Sequence, residues 1–263
     1  MKQKRGLTKI EELIKLSKAD LHIHTNASDG RPTVEELLKF IEEKTDIDVI
    51  AITDHDTIKS ALKAKELMAK KNYRFELIIG EEVSSKQGHI LGLYLKKEIP
   101  AGLTARETIK EIHSQGGLAI ASHPFEHNRF NSPEMINMDG VGAATLIRER
   151  TKFDGIEIVN GTPTLNDENI SAAALNKTLL GLAETGSSDA HILEGVGRAY
   201  TLFEGKTAKD LKKAILSRQT QAMQASWTLL ALLKYLFFFI PHGFRIAVNT
   251  IVHGRLPKRD DLF

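Results

Sequence analysis

His22 and His24 stand two residues apart in the run Ala19-Asp20-Leu21-His22-Ile23-His24-Thr25, near the start of a 263-residue chain. Side chains of extended backbone alternate between faces, so both imidazoles leave such a strand on the same side. Two neutral imidazoles converging from one face make half of a metal site. An isolated His-x-His pair is commonly no more than decoration of a surface strand. Here ligand-type residues recur at the ends of later apolar runs: Asp54-His55, Glu81-Glu82, His123 and Asp189-Ala190-His191. Asp189 and His191 repeat the i, i+2 spacing of the opening pair. The chain has no cysteine, so any metal is held by His, Asp and Glu. Such an all-nitrogen-and-oxygen donor set suits Mn²⁺, Fe²⁺ or Zn²⁺ rather than copper(I).

The elements that would position these residues alternate between strand and helix. A strand over 19–25 leads into the loop Asn26-Ala27-Ser28-Asp29-Gly30-Arg31-Pro32, and Thr33-x-x-Glu36 reads as a capping box that opens a helix. Residues 48–53 form a continuous apolar run, the pattern of a parallel strand buried on both faces. It stops at Asp54-His55-Asp56, and a helix follows to about Lys71. Residues 75–79 predict the next strand, and 83–85 with 89–95 predict a hairpin. A second box, Thr104-x-x-Glu107, opens a helix that ends at His113. A strand over 117–121 then delivers Ser122-His123-Pro124, and 125–140 read as a loop over the site. A strand over 155–159 ends at Asn160-Gly161; a helix over about 167–178 and a strand over 180–184 lead to Ser188-Asp189-Ala190-His191. Thr207-x-x-Asp210 starts the last helix of the pattern. Strands alternating with helices imply a parallel sheet. With five or more strands sending polar residues to one end, a closed barrel fits better than an open sheet, which gathers ligands only at a switch point.

The totals bound the remaining choices. Length suits one large α/β domain with a small appendage. A net charge of +2 makes no demand for a polyanionic partner. No apolar signal-peptide core occupies the first thirty residues, so the expected location is cytoplasmic. Residues 1–18, with Ile10, Leu13, Ile14 and Leu16, carry an amphipathic helical pattern. Residues 221–263 form a hydrophobic extension, in which 227–240 are apolar all round and are followed by Pro241-His242-Gly243. The 227–253 stretch is expected to pack on the barrel, dock a protein partner or attach peripherally to a membrane. His113 on its helix, and His242 and His253 in the tail, are not expected to be ligands.

His-x-His, Ser-Asp-Gly, Thr-Asp-His, Gly-x-Glu-Val-Ser, Ser-His-Pro and Ser-Asp-Ala-His occur in that order over about residues 18–220. As a set they resemble the PHP (polymerase and histidinol phosphatase) family of metal-dependent phosphoesterases. The resemblance implies a distorted TIM-like barrel of seven strands over residues 19–220, binding two to three divalent ions. It places His22, His24 and Asp189 on a first metal, with Glu82 rather than Glu81 bridging to a second. His123 and His89 complete the second, and Asp29, His55 and His191 hold the third. Asp54 could orient a ligand histidine. Glu157 and Asn160 end a strand at the same mouth, where Asn160, with His127 and Arg129 on the loop after Ser122-His123-Pro124, could meet substrate.

The chemistry so implied is hydrolysis of a phosphate ester by a hydroxide bridging two metals, with His22, His24, Glu82, His123, Asp189 and His191 as the catalytic set. The substrate would be a phosphorylated small molecule or nucleotide, with the end of a nucleic acid as a further candidate. Two rivals remain open. An amidohydrolase-type barrel would cleave C–N or C–O bonds, often with a bridging carbamylated lysine, yet no lysine stands at a ligand-bearing strand end. A non-catalytic scaffold of the same fold would show a degraded ligand set, and every family position is filled.

Overall fold

The computed structural model describes residues 16–126 and 140–238. Among these residues, nine strands form one sheet: β1 (Leu16–Asp20), β2 (Val49–Ile52), β3 (Glu76–Ser85), β4 (Gly88–Leu93), β5 (Leu118–Ala121), β6 (Gly155–Asn160), β7 (Ala183–Ser187), β8 (Ala199–Glu204) and β9 (Gln221–Gln224). Their order is β7-β6-β5-β4-β3-β2-β1-β8-β9. The pairs β1–β2, β2–β3, β5–β6 and β6–β7 are parallel, while β4, β8 and β9 bring antiparallel pairings. Six helices connect them: α1 (Val34–Lys44), α2 (Lys59–Met68), α3 (Ala105–Ser114), α4 (Gly142–Glu149), α5 (Asn166–Leu175) and α6 (Ala208–Leu216).

The sheet curls until β8 meets β7. Thr201 Oγ1 on β8 donates to the Gly186 carbonyl at 2.9 Å and accepts from the Gly186 N–H at 3.0 Å. A Cβ at Gly186 would stand 2.7 Å from the Tyr200 carbonyl oxygen, so glycine is what allows the two strands to approach. The result is a nearly closed mixed α/β barrel, as the βα pattern and the resemblance both imply. The ring has more strands than the implied seven, because the β3–β4 hairpin and the β8–β9 pair enter it alongside the βα units.

β2 shows why its run is apolar throughout. Val49 and Ala51 join one buried cluster with Phe203 of β8 and Leu211 and Ile215 of α6. Ile50 and Ile52 face the opposite way, into a cluster with Leu37, Leu38 and Ile41 of α1. Alternate side chains thus fill the barrel and the layer beneath the helices. Thr33, Thr104 and Thr207 all form capping boxes, each worth about 1 kcal/mol of helix stability.

Several sequence boundaries shift. Leu16, expected on a helix, begins β1, because Leu16–Ala19 pair antiparallel with Thr201–Glu204. The rest of the 1–18 pattern lies outside the described residues. The strand at 75–79 and the first arm of the hairpin are one ten-residue strand, β3. α5 ends at Leu175 and continues as one wider π turn, Asn176–Leu180, closed by left-handed Gly181. Asn176 then grips both backbone groups of Leu182. That displaces β7 three residues beyond the strand expected at 180–184. β8 and β9 correspond to no strand in the sequence reading; β9 is short, polar and defined by its pairing with β8.

Candidate metal centre

β1 ends at Asp20, and the backbone that follows carries His22 and His24 between two neighbours. Ile23 bridges to Ala190, and the His24 N–H donates to the Ala190 carbonyl at 3.0 Å. On the other side the Ile23 N–H donates to Thr53 Oγ1 at 3.1 Å, past the end of β2. Asp20 accepts the N–H groups of Ser188 at 2.9 Å and Gly197 at 2.8 Å, which ties the 188–197 loop to β1. Burial pushes the Asp20 carboxyl up to about 6, even against those hydrogen bonds. Past the end of β2, His55 bridges in the same way to Glu82 within β3.

These strand ends bring nine predicted residues together: His22, His24, Asp29, His55, Glu82, His89, His123, Asp189 and His191. Four overlapping groups arise among the described residues, each with donor atoms within 4.8 Å of one another: His24, Asp29, His55 and His191; His22, Glu82 and His123; His22, His24 and Asp189; His55, Glu82 and His89. Glu82 is at the centre. Its Oε1 faces His123 Nε2 at 2.9 Å and His89 Nδ1 at 3.1 Å. Its Oε2 faces His22 Nε2 at 3.1 Å, His55 Nδ1 at 3.2 Å and His24 Nε2 at 3.4 Å. Asp189 Oδ1 lies 3.2 Å from His24 Nε2 and 3.4 Å from His22 Nε2. Asp29 reaches His191 Nε2 at 3.2 Å, His24 Nδ1 at 3.3 Å and His55 Nε2 at 3.4 Å.

The fit to divalent cations rests on how these atoms are aimed. Buried Nδ1 atoms of His55 and His89 point toward Glu82, yet neither makes a hydrogen bond. His22 and His24 bring their Nε2 atoms within 3.0 Å of each other. Nitrogens and carboxylate oxygens converging without satisfying one another are a donor set for cations. Their electrostatics agree. Burial opposes charge on His22 and His123, but nearby carboxylates outweigh it and hold both well above the ordinary histidine range. For His22 these are Asp189, Glu82 and Glu157; for His123, Glu126 and Glu82. By the same balance His24 is raised to about 10, chiefly by Asp29. Burial would raise the Glu82, Asp29 and Asp189 carboxyls, yet the surrounding imidazoles hold all three well below the carboxylate range.

A layer of acids holds the imidazoles from behind. Glu157 Oε1 stands 3.3 Å from His22 Nδ1, and its Oε2 accepts the His123 N–H at 2.9 Å. Asn160, expected to meet substrate, is instead fully buried, and its amide donates to Glu157 at 2.9 Å and Asp189 at 3.1 Å. Among the described residues, Asp54 pairs with no imidazole. It accepts from the Thr25 N–H and from the hydroxyls of Thr25 and Ser28, each at 2.7 Å, and from Ser60. That fixes the loop carrying Asp29, where a Cβ on Gly30 would fall 2.6 Å from the His24 carbonyl carbon. His123 and Asp189 have left-handed backbones (φ 20° and 52°), local strain of the sort that gathers at functional sites.

Some contributors escape the sequence reading. Glu126 Oε2 stands 2.9 Å from His123 Nδ1; the visible signal was an acid three residues beyond a ligand-type histidine. Ser122 donates to Glu82 at 2.9 Å. The segment after β9 also reaches the rim, since residues 229–238 are helical and Phe238 lies 6.5 Å from His191, ring to ring. No helix among the described residues is long and apolar enough to cross a membrane. His127, Arg129 and 239–253 of the expected docking stretch lie outside the described residues.

Comparison with known proteins adds to this geometry. The PHP-associated family matches residues 169–220. An uncharacterized protein of Methanocaldococcus jannaschii is 45% identical over 119 residues, 41% of this chain and 68% of that protein. The 5'-3' exoribonuclease Rnm of Salmonella typhimurium is 38% identical over 86 residues, covering 31% of this chain but only 29% of the ribonuclease. Among solved structures, a two-domain protein of Bacteroides vulgatus containing a predicted PHP-like metal-dependent phosphoesterase superposes with a TM-score of 0.62 at 20% identity. That match covers 80% of this chain and 65% of the other. At that identity the likeness concerns the fold, and the fold is the barrel whose rim gathers the nine residues. Motif order, barrel and matches agree, and the chain belongs to the PHP family of metal-dependent phosphoesterases.

Proposed function

We propose that the chain hydrolyses a phosphate ester at the cluster around Glu82, using two to three divalent ions of the manganese, iron or zinc type. The observation that carries this reading is the division of Glu82: one oxygen faces His123 and His89, the other His22, His24 and His55. In the proposed ligand set His22, His24 and Asp189 hold one ion, His89 and His123 a second, and Asp29, His55 and His191 a third, with Glu82 shared between the first two. Bound there, the ions would supply an activated water and neutralise charge on the phosphate oxygens.

The chain's own part is positioning. Glu157 beside His22 Nδ1 turns Nε2 toward Glu82 and Asp189, and Glu126 does the same for His123. Asn160 keeps Asp189 aimed at the histidines. In the overall reaction a water oxygen bonds to phosphorus, the ester P–O bond breaks, and the departing oxygen takes a proton. A phosphorylated small molecule or nucleotide, or the end of an oligonucleotide, is the substrate class proposed; similarity to the exoribonuclease over a limited stretch supports the nucleotide side of it. A glutamate bridges the two halves of the cluster, where an amidohydrolase reading calls for a carbamylated lysine.

Metal-loaded protein assayed against an alkyl phosphomonoester, a cyclic phosphodiester, a 5'-phosphorylated oligonucleotide and an amide tests the proposal. Phosphate-ester turnover that disappears in His22→Ala is expected. Amide cleavage without phosphoester cleavage, or unchanged phosphatase turnover in His22→Ala, would overturn it.

A further inference from the structure

The chain does not leave the barrel after β9 but folds back to the metal-facing rim. Trp227 Nε1 donates to the Gly161 carbonyl at 2.8 Å, and its ring meets the Tyr235 ring edge-on at 5.2 Å. In the helix over 229–238, Ala231, Tyr235 and Phe238 follow the i, i+4, i+7 spacing of one face. Ala231 is buried, and Phe238 lies 6.5 Å from His191, ring to ring. Leu229, Leu233, Leu236 and Phe237 are exposed. Tyr235 is therefore carried on the barrel side, between a ring anchored at Gly161 and a ring beside a candidate ligand.

The polar atoms of this segment have distinct uses. Trp227 spends its N–H on Gly161, and Lys234 pairs with Glu194. Tyr235 hydrogen-bonds Thr162 through its hydroxyl. The Thr162 N–H in turn donates to Asn160 Oδ1 at 2.9 Å, and the Asn160 amide donates to Asp189 at 3.1 Å. A phenol oxygen can accept from one hydroxyl and still donate its own proton elsewhere. The charges of Asp189 and of Glu126, the acid behind His123, both act on this hydroxyl. Burial first, and then those two carboxylates, hold the phenol well above its ordinary range. It stays protonated at neutral and mildly alkaline pH, a donor rather than an anion. Packing against Trp227 would need no more than a phenylalanine, which the same helix uses at 237 and 238. The hydroxyl is the part that packing does not explain.

We propose that Tyr235 touches the substrate, its hydroxyl donating a hydrogen bond to a non-bridging oxygen of the phosphate held at the cluster. The proposal rests on the phosphoesterase reading and adds to it a residue that lies in none of the six sequence motifs. A neutral donor suits the position. A lysine or arginine here would pair with Asp189 or Glu126 and compete with divalent ions for them, whereas a phenol leaves the carboxylates to the metals. Its hydrogen bond strengthens as charge builds on the phosphate oxygens, so it favours the transition state over the bound ester. Residues 229–238 then contribute a group to the reaction as well as a wall to the rim.

The test compares Tyr235→Phe with wild type in the full metal-loaded chain, with an alkyl phosphomonoester for turnover and inorganic phosphate for calorimetric binding. Leu233→Ala, on the exposed side of the helix, is the control and should match wild type in both. Tyr235→Phe keeps the ring against Trp227, so melting temperature and metal content should not change. Its kcat/KM is expected to fall about tenfold or more, chiefly through kcat, and its phosphate affinity at least threefold. Less than a threefold change in both measurements would overturn the contact. So would a loss accompanied by a lower melting temperature or a lower metal content, which marks a packing role. Ester turnover that Tyr235→Phe leaves intact sinks the contact alone. A wild-type chain without ester turnover sinks the phosphoesterase reading, and the phosphate titration then decides on Tyr235 by the same threefold criterion.

Discussion

The two ends of the barrel are built from the same residue types toward opposite ends. At the rim where β1, β2, β3, β5, β6 and β7 finish, acids and imidazoles crowd together and leave ring nitrogens such as His55 Nδ1 and His89 Nδ1 without hydrogen bonds. At the opposite end, polar groups tie loops shut. Arg74 donates to the carbonyls of Ile47 at 2.8 Å and Glu42 at 3.2 Å, and also to those of Ile41 and Thr45. Asp154 takes the Ala119 N–H and the His113 ring nitrogen, each at 2.8 Å. Gln115 accepts the N–H groups of Lys96 and Lys97 at 2.8 and 2.9 Å. One end spends its polar groups on stability; the other keeps them available for ligands. That division is expected of barrels whose chemistry sits where the strands end.

Mutations at the two ends should therefore separate activity from stability. The largest effect is expected for Glu82→Gln, which removes the carboxylate shared by the two halves of the cluster. Phosphoester turnover should fall by about 10³-fold or more, with metal content reduced in elemental analysis; turnover within tenfold of wild type would mean that Glu82 does not bridge. Next comes Glu157→Gln, which weakens the support of His22 while leaving the nine candidate ligands in place. A loss of about 10–100-fold in metal affinity or activity is expected, read from metal titrations followed by kinetics.

Opposite-end changes should reverse the pattern. Arg74→Ala should cost about 1–2 kcal/mol in denaturant unfolding, with metal content unchanged. His113→Ala is smaller still. The hydrogen bond to Asp154 raises the His113 pKa above the ordinary histidine value. Its stabilisation is accordingly complete below the unfolded-state pKa and is lost as pH rises through the folded one. With the ring 38% exposed, solvent screening limits it to a few tenths of a kcal/mol. Comparing wild type with His113→Ala at pH 5.5 and pH 8.5 should show a difference only at the lower pH. A difference that grows toward high pH would contradict the assignment.

The sequence carried the rim better than it carried the ring. Ligand positions are legible because chemistry restricts them to His, Asp and Glu at strand ends, and an apolar run such as 48–53 announces where a strand stops. The supporting layer is harder to read. Glu126 matters through its distance to His123, and Asn160 turns inward to Glu157 and Asp189 rather than out to substrate. Both depend on side-chain direction, which composition and period do not encode. β9 is short, mostly exposed and polar (Gln221-Ala222-Met223-Gln224), so no hydrophobic alternation marks it; its ladder with β8 defines it. The helical residues after Trp227 look like a generic apolar segment in sequence. Their place beside His191 comes from tertiary contacts between distant parts of the chain.

The most direct test is the metal content of the purified, metal-loaded chain beside its His22→Ala and Asp189→Ala variants, measured by elemental analysis with folding checked by circular dichroism. Two to three divalent ions per wild-type chain, with at least one lost in each folded variant, is the expected result. A folded wild-type chain that retains less than one ion, or variants that keep the full complement, would contradict the assignment of the rim as a metal centre.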